Sequence, residues 1–288
     1  MPDFGVIPFD AVKEHLIRCG GLRHLPQNAQ SVIVAVFPYF YIPSDGESSQ
    51  SGGISRYART TDYHAVAGDF LRRATALFHE HFSSFHFEPF CDASPIPEVF
   101  SACLAGLGVM GQNGLLITPR FGSYVFIGEI VTDCIFPPSA AAFDKISCEV
   151  GCMGCGRCVS SCPGHAIDSD GICIESCVSH LTQKKGELTT AEREQVKKSG
   201  YIFGCDRCQE VCPMNKNARE TPITAFKTGY LQTLKIKELE RENFELENAN
   251  RAFLWRGKAV LKRNIGIVYG NDAHTNSVVS TAERILPP

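Results

Sequence analysis

The chain has 288 residues, of which 44% are hydrophobic and 20% are charged, and its formal net charge at pH 7 is −3. These values predict an ordinary globular chain of one large or two modest domains, and the small negative charge gives no global attraction for nucleic acid. The longest apolar run, residues 31–42, is too short to cross a bilayer and contains Pro38. Because the N-terminus shows no signal-peptide pattern, we expect a cytoplasmic protein that makes no membrane contact.

The first 60 residues predict a helix, a buried strand and a loop. Asp10 is placed to cap a helix that ends at Gly20-Gly21. Residues 31–37 form a continuous apolar run of the buried-strand type. The segment 46–53 is rich in Ser and Gly, which predicts a mobile loop.

The next part of the chain predicts a long helix and further strands. Residues 62–82 carry apolar side chains at helical spacing, which indicates an amphipathic helix. Residues 85–91 and 124–131 have strand patterns, with a helix from about 97 to 105 between them. A central sheet covered by helices is therefore the expected architecture of the first half of the chain.

The cysteines of the central region follow iron–sulfur spacing. One group reads C-x2-C-x2-C-x3-C-P, and a second group reads C-x2-C-x3-C-P. Three thiolates at such short spacing wrap one corner of a cubane cluster, while the fourth points to a second cluster. The two groups therefore predict two [4Fe–4S] clusters and a role in electron transfer. The first group is Cys152, Cys155, Cys158 and Cys162, and the second is Cys205, Cys208 and Cys212.

The second group needs one more ligand, and Cys177 is the best candidate because it lies between the two groups. Cys173, four residues earlier, is the alternative. In the crossed arrangement of two-cluster ferredoxins, one cluster is held by Cys152, Cys155, Cys158 and Cys212, and the other by Cys162, Cys177, Cys205 and Cys208. Zinc is the competing interpretation, since C-x2-C pairs also bind zinc. A tetrahedral zinc site, however, needs neither a third cysteine at that spacing nor a proline after the fourth.

The remaining cysteines are expected to be small buried apolar residues of a chain that resides in a reducing compartment. They are Cys19, Cys91, Cys103, Cys134, Cys148 and Cys173.

The later sequence predicts charged helices. Thr189 and Glu192 form a capping-box pattern for a helix that continues through Lys198. Further on, a run of acidic residues precedes a run of basic ones. This pattern indicates either two solvated helix faces or a patch that contacts phosphates. The acidic residues are Glu238, Glu240, Glu242, Glu245 and Glu247, and the basic ones are Arg251, Arg256, Lys258, Lys262 and Arg263.

The first half of the chain is larger than a ferredoxin requires, so we expect the clusters to supply electrons to another site. Glycines between Ala105 and Gly122 are placed where backbone could lie flat against a large ligand. The string from Gly106 to Gly111 matches G-x-G-x-x-G. We reject nucleotide binding, because Gly106 is expected to end a helix, whereas a dinucleotide fingerprint opens one.

Two polar residues have more than one interpretation. Asp92 follows a predicted strand and precedes a Ser-Pro turn, so it is either a proton donor or a turn residue. Asp62-x-His64 is similar to the D-x-H-x-x-G pattern of cobalamin proteins whose histidine coordinates cobalt. The glycine, Gly68, comes one residue too late, and the segment enters a helix. We therefore expect His64 to be a polar group at a helix N-terminus.

Taken together, these segments resemble the epoxyqueuosine reductase family, the cobalamin-dependent enzymes of tRNA queuosine synthesis that are related to reductive dehalogenases. The resemblance runs from about residue 31 to 272. Besides both cysteine groups, it is carried by residues 31–36, Arg56-Tyr57-Ala58-Arg59, Asp62-Tyr63-His64, Asp92 with Pro95, 105–113, Gly122-Ser123, Gly128-Glu129, Arg263-Asn264 and Tyr269-Gly270-Asn271.

The resemblance implies an α+β fold in three parts. The first is an N-terminal α/β sandwich-type domain, residues 1–145, that binds cobalamin. A double [4Fe–4S] ferredoxin-like domain follows over residues 146–220. A short helical, HEAT-like region over residues 221–288 completes the chain.

The resemblance also implies a reductase that converts epoxyqueuosine to queuosine in tRNA. Its cobalamin would be base-off, with no side chain below the cobalt, and one cluster would lie near the corrin. Asp92 matches the proton donor of the family, and a closed pocket would raise the pKa of its carboxyl by desolvation. The implied contacts to the corrin are Arg56, Tyr57, Asp92, Asn113, Leu116, Ile127, Ser179, Asp206 and Arg207.

The implied partners are a tRNA anticodon arm and an external low-potential electron donor such as flavodoxin or ferredoxin. The chain departs from the family where Gly111-Gln112-Asn113-Gly114 replaces Gly-Lys-Asn-Ser, and its segment before Ser31 is abbreviated. Its C-terminal helical repeats, which cradle tRNA in the family, are cut to about one. Two alternatives follow: a dehalogenase-like corrinoid and iron–sulfur reductase of a small molecule, and a non-enzymatic electron carrier.

Overall fold

The computed structural model describes residues 3–44, 53–139, 151–169 and 171–270. Its strands are β1 Asp3–Pro8, β2 Ser31–Pro38, β3 Gly53–Ile54, β4 Phe87–Phe90, β5 Val109–Met110, β6 Leu116–Ile117, β7 Val125–Thr132 and β8 Tyr201–Phe203. Its α-helices are α1 Tyr63–His81, α2 Glu98–Leu104, α3 Arg157–Ser160, α4 Val178–Leu181, α5 Thr190–Ser199, α6 Arg207–Glu210, α7 Ile236–Leu239, α8 Phe244–Glu247 and α9 Lys258–Tyr269. Throughout these described ranges, every helix is too short or too polar to cross a bilayer.

A four-stranded antiparallel sheet in the order β1-β2-β7-β4 forms the centre of the first half of the chain. Strand β2 pairs with β7 along its whole length, from Ser31 opposite Thr132 to Pro38 opposite Val125. All eight residues of β2 are buried, as expected for a central strand that is covered on both faces. The predicted strands at 31–37, 85–91 and 124–131 are confirmed.

Helices cover the two faces of this sheet. Alternate residues of β2 point to opposite faces, so Val32 and Val34 pack with α2, whereas Ile33 and Ala35 pack with α1. The predicted sheet covered by helices is confirmed as a mixed α/β arrangement. Helix α1 begins as the sequence predicts, because the side chain of Asp62 accepts a hydrogen bond from the His64 N–H at 2.9 Å and caps the helix.

The prediction of a helix from Asp10 to Gly20-Gly21 is wrong. Residues 3–8 form strand β1, and short 3-10 turns follow at Phe9–Ala11 and Lys13–His15. The chain then leaves helical geometry at Leu16, where ψ is 135°, and the Ile17 N–H bonds the Pro95 carbonyl at 2.8 Å. A tertiary hydrogen bond thus replaces the next helical turn. The predicted loop 46–53 lies outside the described residues except for Gly53, which belongs to β3.

Strand β3 connects the first half of the chain to the cysteine-rich segment. Gly53 and Ile54 pair in parallel with β8, which lies between the cysteines of the second group and Cys177. Ile54 and Ile202 then share a buried core with α9. The capping box that precedes β8 is confirmed, because the Thr189 and Glu192 side chains each accept the predicted backbone hydrogen bond. Residues of the first half of the chain, of the cysteine-rich segment and of the C-terminal helices therefore share one core.

Two of the five C-terminal basic residues, Arg251 and Arg263, are half-buried and bind backbone carbonyls. Arg263 donates hydrogen bonds to the carbonyls of Lys184, Gly186 and Leu181. Arg251 donates to the carbonyls of Arg59, at 2.9 Å, and Gly229. Each guanidinium thus donates to backbone carbonyls of other segments of the chain. Both arginines hold the C-terminal region against the rest of the protein, while the two interpretations of the basic run stay predictions for Arg256, Lys258 and Lys262.

Candidate functional site

A cavity of about 490 Å³ lies between the central sheet and the cysteine-rich segment. Its wall on the sheet side is aromatic, and the ring of Tyr63 stacks on that of Phe126 with 4.2 Å between centroids. Such a wall suits a large flat ligand. Among the described residues, the lining includes Tyr39, Tyr57, Tyr63, Asp92, Asn113, Leu115, Val125, Phe126, Ile172, Val178, Ser179, Gln183, Asp206, Arg207 and Gln209.

Four cysteines face this cavity from the opposite side. Two of them are positioned by short helices: Cys177 is the N-cap residue of α4, and Cys208 lies in α6. The Ala166 N–H donates to the Cys162 sulfur at 3.3 Å, a contact of the kind that tunes cluster thiolates. A cluster on these four cysteines would therefore border the cavity. The set is Cys162, Cys177, Cys205 and Cys208.

The other four predicted ligands surround a smaller pocket. Cys152, Cys155, Cys158 and Cys212 line it together with Gln112. The cysteines thus divide between two pockets as the crossed arrangement requires. Asn113 lines both pockets and hydrogen-bonds Cys208, so it lies in the wall between the two cysteine sets. In the set around the smaller pocket, Cys155 is exposed to solvent, and so is the nearby Met153.

The donor chemistry of both sets fits an iron–sulfur cluster, since each set is four thiols. Cys173 lies apart from both sets; it is exposed, and its thiol contacts Glu175 and Ser176. Its predicted burial is wrong, because the 3-10 turn Ile174–Ser176 leaves it on the surface. Cys103 and Cys134 are buried as predicted, Cys19 and Cys91 are half-buried, and Cys148 lies outside the described residues.

A buried carboxylate joins the cysteine-rich segment to the first half of the chain. Asp206 accepts hydrogen bonds from the Ser55 hydroxyl and the Arg56 N–H, both at 2.7 Å, and from the Gln209 amide at 3.0 Å. Burial raises the pKa of its carboxyl, while the Arg56 N–H opposes that shift. Asp206 thereby fixes the 3-10 turn that carries Tyr57 at the cavity wall.

The structure brings most of the predicted corrin contacts together, but not all. Leu116 and Ile127 lie in the hydrophobic core between the sheet and α2. Their neighbours Leu115 and Phe126 line the cavity in their place. Successive residues of a strand point to opposite faces, so the neighbour of a residue that lines the cavity points into the hydrophobic core. Arg56 lies behind the wall, with its guanidinium 5.1 Å from the ring centroid of Phe40.

Asp92 lies at the cavity edge in a turn with unusual backbone geometry. Its φ is +60°, and that of Ala93 is +45°, a region that non-glycine residues adopt at a cost. The carboxylate accepts hydrogen bonds from the Tyr63 hydroxyl at 2.8 Å and from His64 Nε2 at 3.1 Å. His64 lowers the pKa of Asp92 to about 2, overcoming the desolvation that acts in the opposite direction. Burial does act to raise this pKa, but the hydrogen bond from His64 outweighs it in this arrangement; the raised pKa in a closed pocket stays a prediction.

Two further acids lie behind this turn. Glu98, the first residue of α2, accepts the backbone N–H of Asp92, and desolvation raises the pKa of its carboxyl to about 7. Glu129 in β7 is fully buried and accepts hydrogen bonds from the hydroxyls of Ser94 and Ser101. Desolvation raises its pKa to about 8. Both groups therefore titrate in the neutral range.

Comparisons with known proteins now identify the family. Residues 151–215 match the family model described as "4Fe-4S double cluster binding domain", and residues 21–93 match "Epoxyqueuosine reductase QueG, DUF1730". The epoxyqueuosine reductase of Cyclobacterium marinum is 32% identical over 251 residues, which make up 85% of this chain and 78% of that protein. The chain belongs to the epoxyqueuosine reductase family.

Other epoxyqueuosine reductases are similar over a smaller share of their length. That of Lactococcus garvieae is 32% identical over 225 residues, or 76% of this chain and 62% of that protein. This chain therefore spans less than two thirds of that relative. A crystal structure of epoxyqueuosine reductase with an epoxyqueuosine-modified tRNA-Tyr stem loop has a TM-score of 0.75 and 24% identity. It covers 92% of this chain and 76% of that one, and shows that the two share a fold.

Reasoning from the sequence missed three groups around Asp92 in this member of the epoxyqueuosine reductases. It assigned His64 only to a helix terminus, whereas the imidazole also contacts Asp92. It gave no role to the Tyr63 hydroxyl or to Glu98. The only available signal was spacing: Tyr63 and His64 directly follow the Asp62 cap, and Glu98 opens the helix after the Asp92 turn.

Proposed function

We propose that this chain reduces epoxyqueuosine to queuosine in tRNA, with Asp92 delivering a proton to the epoxide oxygen. One observation carries the proposal: Asp92 and the four cysteines Cys162, Cys177, Cys205 and Cys208 line the same cavity. Electrons would enter from the cysteine side, and a proton from the Asp92 side, of the same cavity. An electron carrier needs no such acid, so the arrangement favours an enzyme.

We further propose that the cavity binds cobalamin. The residues fit this group: the wall is aromatic on the sheet side, and four thiols border the same space. Tyr57, Asn113, Ser179, Asp206 and Arg207, all predicted from the sequence, would contact it. When bound, cobalamin supplies the reactive reducing centre, while the protein excludes water and orients the substrate.

The two cysteine sets suggest a direction for electron flow. The set with Cys155 lies at the surface, beside the exposed Met153, whereas the set with Cys177 borders the cavity. Asn113 lies between them. We propose that an external low-potential donor, flavodoxin or ferredoxin, docks at the exposed set, and that electrons pass through the second set to the cavity.

The tRNA substrate is proposed from the relatives. Curated relatives that resemble most of this chain are epoxyqueuosine reductases, and one structure with the same fold contains an epoxyqueuosine-modified tRNA stem loop. On this chain, Arg256, Lys258 and Lys262 are the basic residues of the C-terminal run that remain to contact phosphates, because Arg251 and Arg263 bind backbone carbonyls.

Anaerobic reconstitution followed by a turnover assay tests the proposal. The protein is loaded with iron, sulfide and cobalamin, and bound iron and corrin are measured. It then receives a reductant and a tRNA stem loop that carries epoxyqueuosine, and the digested nucleosides are analysed. We expect queuosine to form. Failure to bind any corrin would remove both enzymatic interpretations. Corrin uptake with unchanged epoxide under reducing conditions would contradict the tRNA substrate.

A further inference from the structure

His64 lies between two carboxylates. Its Nδ1 is 2.7 Å from Asp62 Oδ1, and its Nε2 is 3.1 Å from Asp92 Oδ2. An ionised carboxylate can only accept hydrogen bonds, so each ring nitrogen must carry a hydrogen. The geometry therefore describes an imidazolium that points one N–H at Asp92. The three residues form a row, Asp62–His64–Asp92, that holds one mobile proton.

The other groups around this row favour the same charge state. The Tyr63 hydroxyl donates to Asp92, and the Tyr63 ring stacks on the imidazole with 4.0 Å between centroids. Glu98, Cys91 and Tyr57 are close enough to Asp92 to interact with it electrostatically. The hydrogen bond to Asp62 and then that to Asp92 raise the pKa of His64 to about 9. His64 is thus the one cation among acids and neutral hydroxyls in this set.

The row connects solvent to the cavity edge. The His64 side chain is 49% exposed, so its ring can exchange protons with water. Its position is nevertheless fixed, because Asp62 both caps α1 and holds Nδ1, and Tyr63 is stacked on Phe126. A half-exposed but immobile imidazolium beside a carboxylate is the arrangement that a proton relay requires.

The proposed reaction needs a supply of protons. Removing the epoxide oxygen as water breaks two C–O bonds, forms one C=C bond, and consumes two electrons and two protons. The clusters supply the electrons but no protons. Asp92 can hold one proton at a time, and in this structure its carboxylate is ionised and paired with His64.

We propose that His64 is the proton relay of this site. It passes the Nε2 proton to Asp92, which delivers it to the departing oxygen, and it then regains a proton from solvent while Asp62 holds the ring. Each turnover uses the relay twice, which balances the two protons in the water released. This inference rests on the proposed function, and it assigns to His64 a role that acts through Asp92.

The first experiment measures the proton on His64 without using turnover. Histidine ring signals of the full chain with its clusters are titrated by NMR, and His64→Ala identifies the His64 signal. We expect His64 to titrate near pH 9 and to shift toward 6.5 in both Asp62→Asn and Asp92→Asn. His81, whose ring contacts the Leu77 carbonyl at the other end of α1, should not respond to either change. A His64 signal that titrates near 6.5 in the wild type would overturn the relay.

The second experiment tests the relay in the reconstituted enzyme. His64→Ala should lower kcat by about 100-fold or more with little change in KM, and added imidazole should restore part of the rate. Because the relay needs protonated His64, the wild-type rate should fall as pH rises through about 9, and Asp62→Asn should move that fall to lower pH. The control His81→Gln should keep wild-type kcat.

The outcomes separate this inference from the function on which it rests. If the wild type reduces the epoxide and His64→Ala keeps its full rate and pH profile, only the relay is overturned. If His64→Ala loses activity but imidazole restores none and the pH dependence is unchanged, the histidine is structural, and the relay is again overturned. If the wild type leaves the epoxide intact, the proposed function fails, while the titration still decides where the proton resides.

Discussion

The carboxylate of Asp206 accepts a hydrogen bond of 2.7 Å from the backbone N–H of Arg56, although 150 positions separate the two residues. The same carboxylate accepts from Ser55 at 2.7 Å and is fully buried. Removing it would leave three donors, on Ser55, Arg56 and Gln209, without this acceptor. The contact therefore couples the folding of the sheet to that of the second cysteine group.

We expect Asp206→Ala to destabilise the protein by about 3 to 5 kcal/mol, the usual effect of removing one partner from a buried charged network. Urea unfolding of the protein with its clusters, under anaerobic conditions, measures this change. The matched control is Asp69→Ala on the exposed face of α1, where the carboxylate forms only surface ion pairs with Arg72 and Arg73, and it should change stability by less than about 1 kcal/mol. Equal effects for the two variants would contradict the buried network.

Asp92→Asn should retain iron and cobalamin but lower turnover by about 100-fold or more, because an amide cannot donate a proton from a carboxyl. Asparagine tolerates a positive φ well, so the +60° backbone of this turn should be preserved. Metal and corrin analysis together with nucleoside assays of queuosine formation check both parts. Full activity in this variant would remove Asp92 from the mechanism.

Cys177→Ser and Cys173→Ser should differ in iron content. Cys177 lines the cavity with three other cysteines, whereas Cys173 is exposed and lies apart from them. We expect Cys177→Ser to lose most of the iron of one cluster and Cys173→Ser to keep both clusters. Iron and sulfide analysis with EPR of the reduced protein gives the answer. The opposite result would make Cys173 the ligand.

Gly204→Ala should be more destabilising than Gly186→Ala, although both glycines have a positive φ, +69° and +78°. A Cβ at Gly204 would lie 2.9 Å from the Tyr57 ring and closer still to Ser55, whereas a Cβ at Gly186 would meet no atom within 4 Å. Gly186→Ala should cost about 1 to 2 kcal/mol for the backbone alone. Gly204→Ala should add about 1 to 3 kcal/mol of overpacking. Thermal unfolding of both variants measures the difference, and equal costs would show that the Tyr57 turn can move.

Because of Glu129, we expect the free energy of unfolding to fall as pH rises. Desolvation raises the pKa of its carboxyl from 4.5 to about 8 in the folded state, so the folded protein holds a proton that the unfolded chain releases between these values. Its contribution is fully present below 4.5 and is lost as pH rises through about 8. Glu129→Gln should flatten the pH dependence of the unfolding midpoint between pH 6 and about 8.5, while the exposed Glu80→Gln should not. A wild-type midpoint that stays constant over this range would contradict the raised pKa.

Regular patterns in the sequence predicted much of the fold. The apolar run at 31–37, the helical spacing of 62–82 and the capping box at Thr189 each depend on local chemistry, and the structure shows all three elements. The helix after Asp10 was wrong because a tertiary hydrogen bond from Ile17 to Pro95 decides that segment. Such long-range contacts leave no local signature.

Part of the candidate site could also be predicted from a local sequence pattern. Cysteine spacing reflects a local loop around a cluster, so it placed all eight candidate ligands around two pockets. The choice between Leu115 and Leu116 depends on the face of a two-residue strand, which no periodicity reveals over so short a length. The contact between His64 and Asp92 joins α1 to the turn after β4, and only the assembled sheet brings these residues together.

The parallel pairing of Gly53–Ile54 with Tyr201–Phe203 has a consequence for synthesis on the ribosome. At ordinary elongation rates, β3 emerges roughly 10 s or more before its partner strand. Throughout that time the nascent chain has one wall of the cavity but still lacks Cys205 and Cys208, two of the four cysteines that face it. The lining of the cavity in which we propose that cobalamin binds is therefore incomplete until residue 209 has emerged, so loading of the proposed cofactor would be a late event in the maturation of the protein.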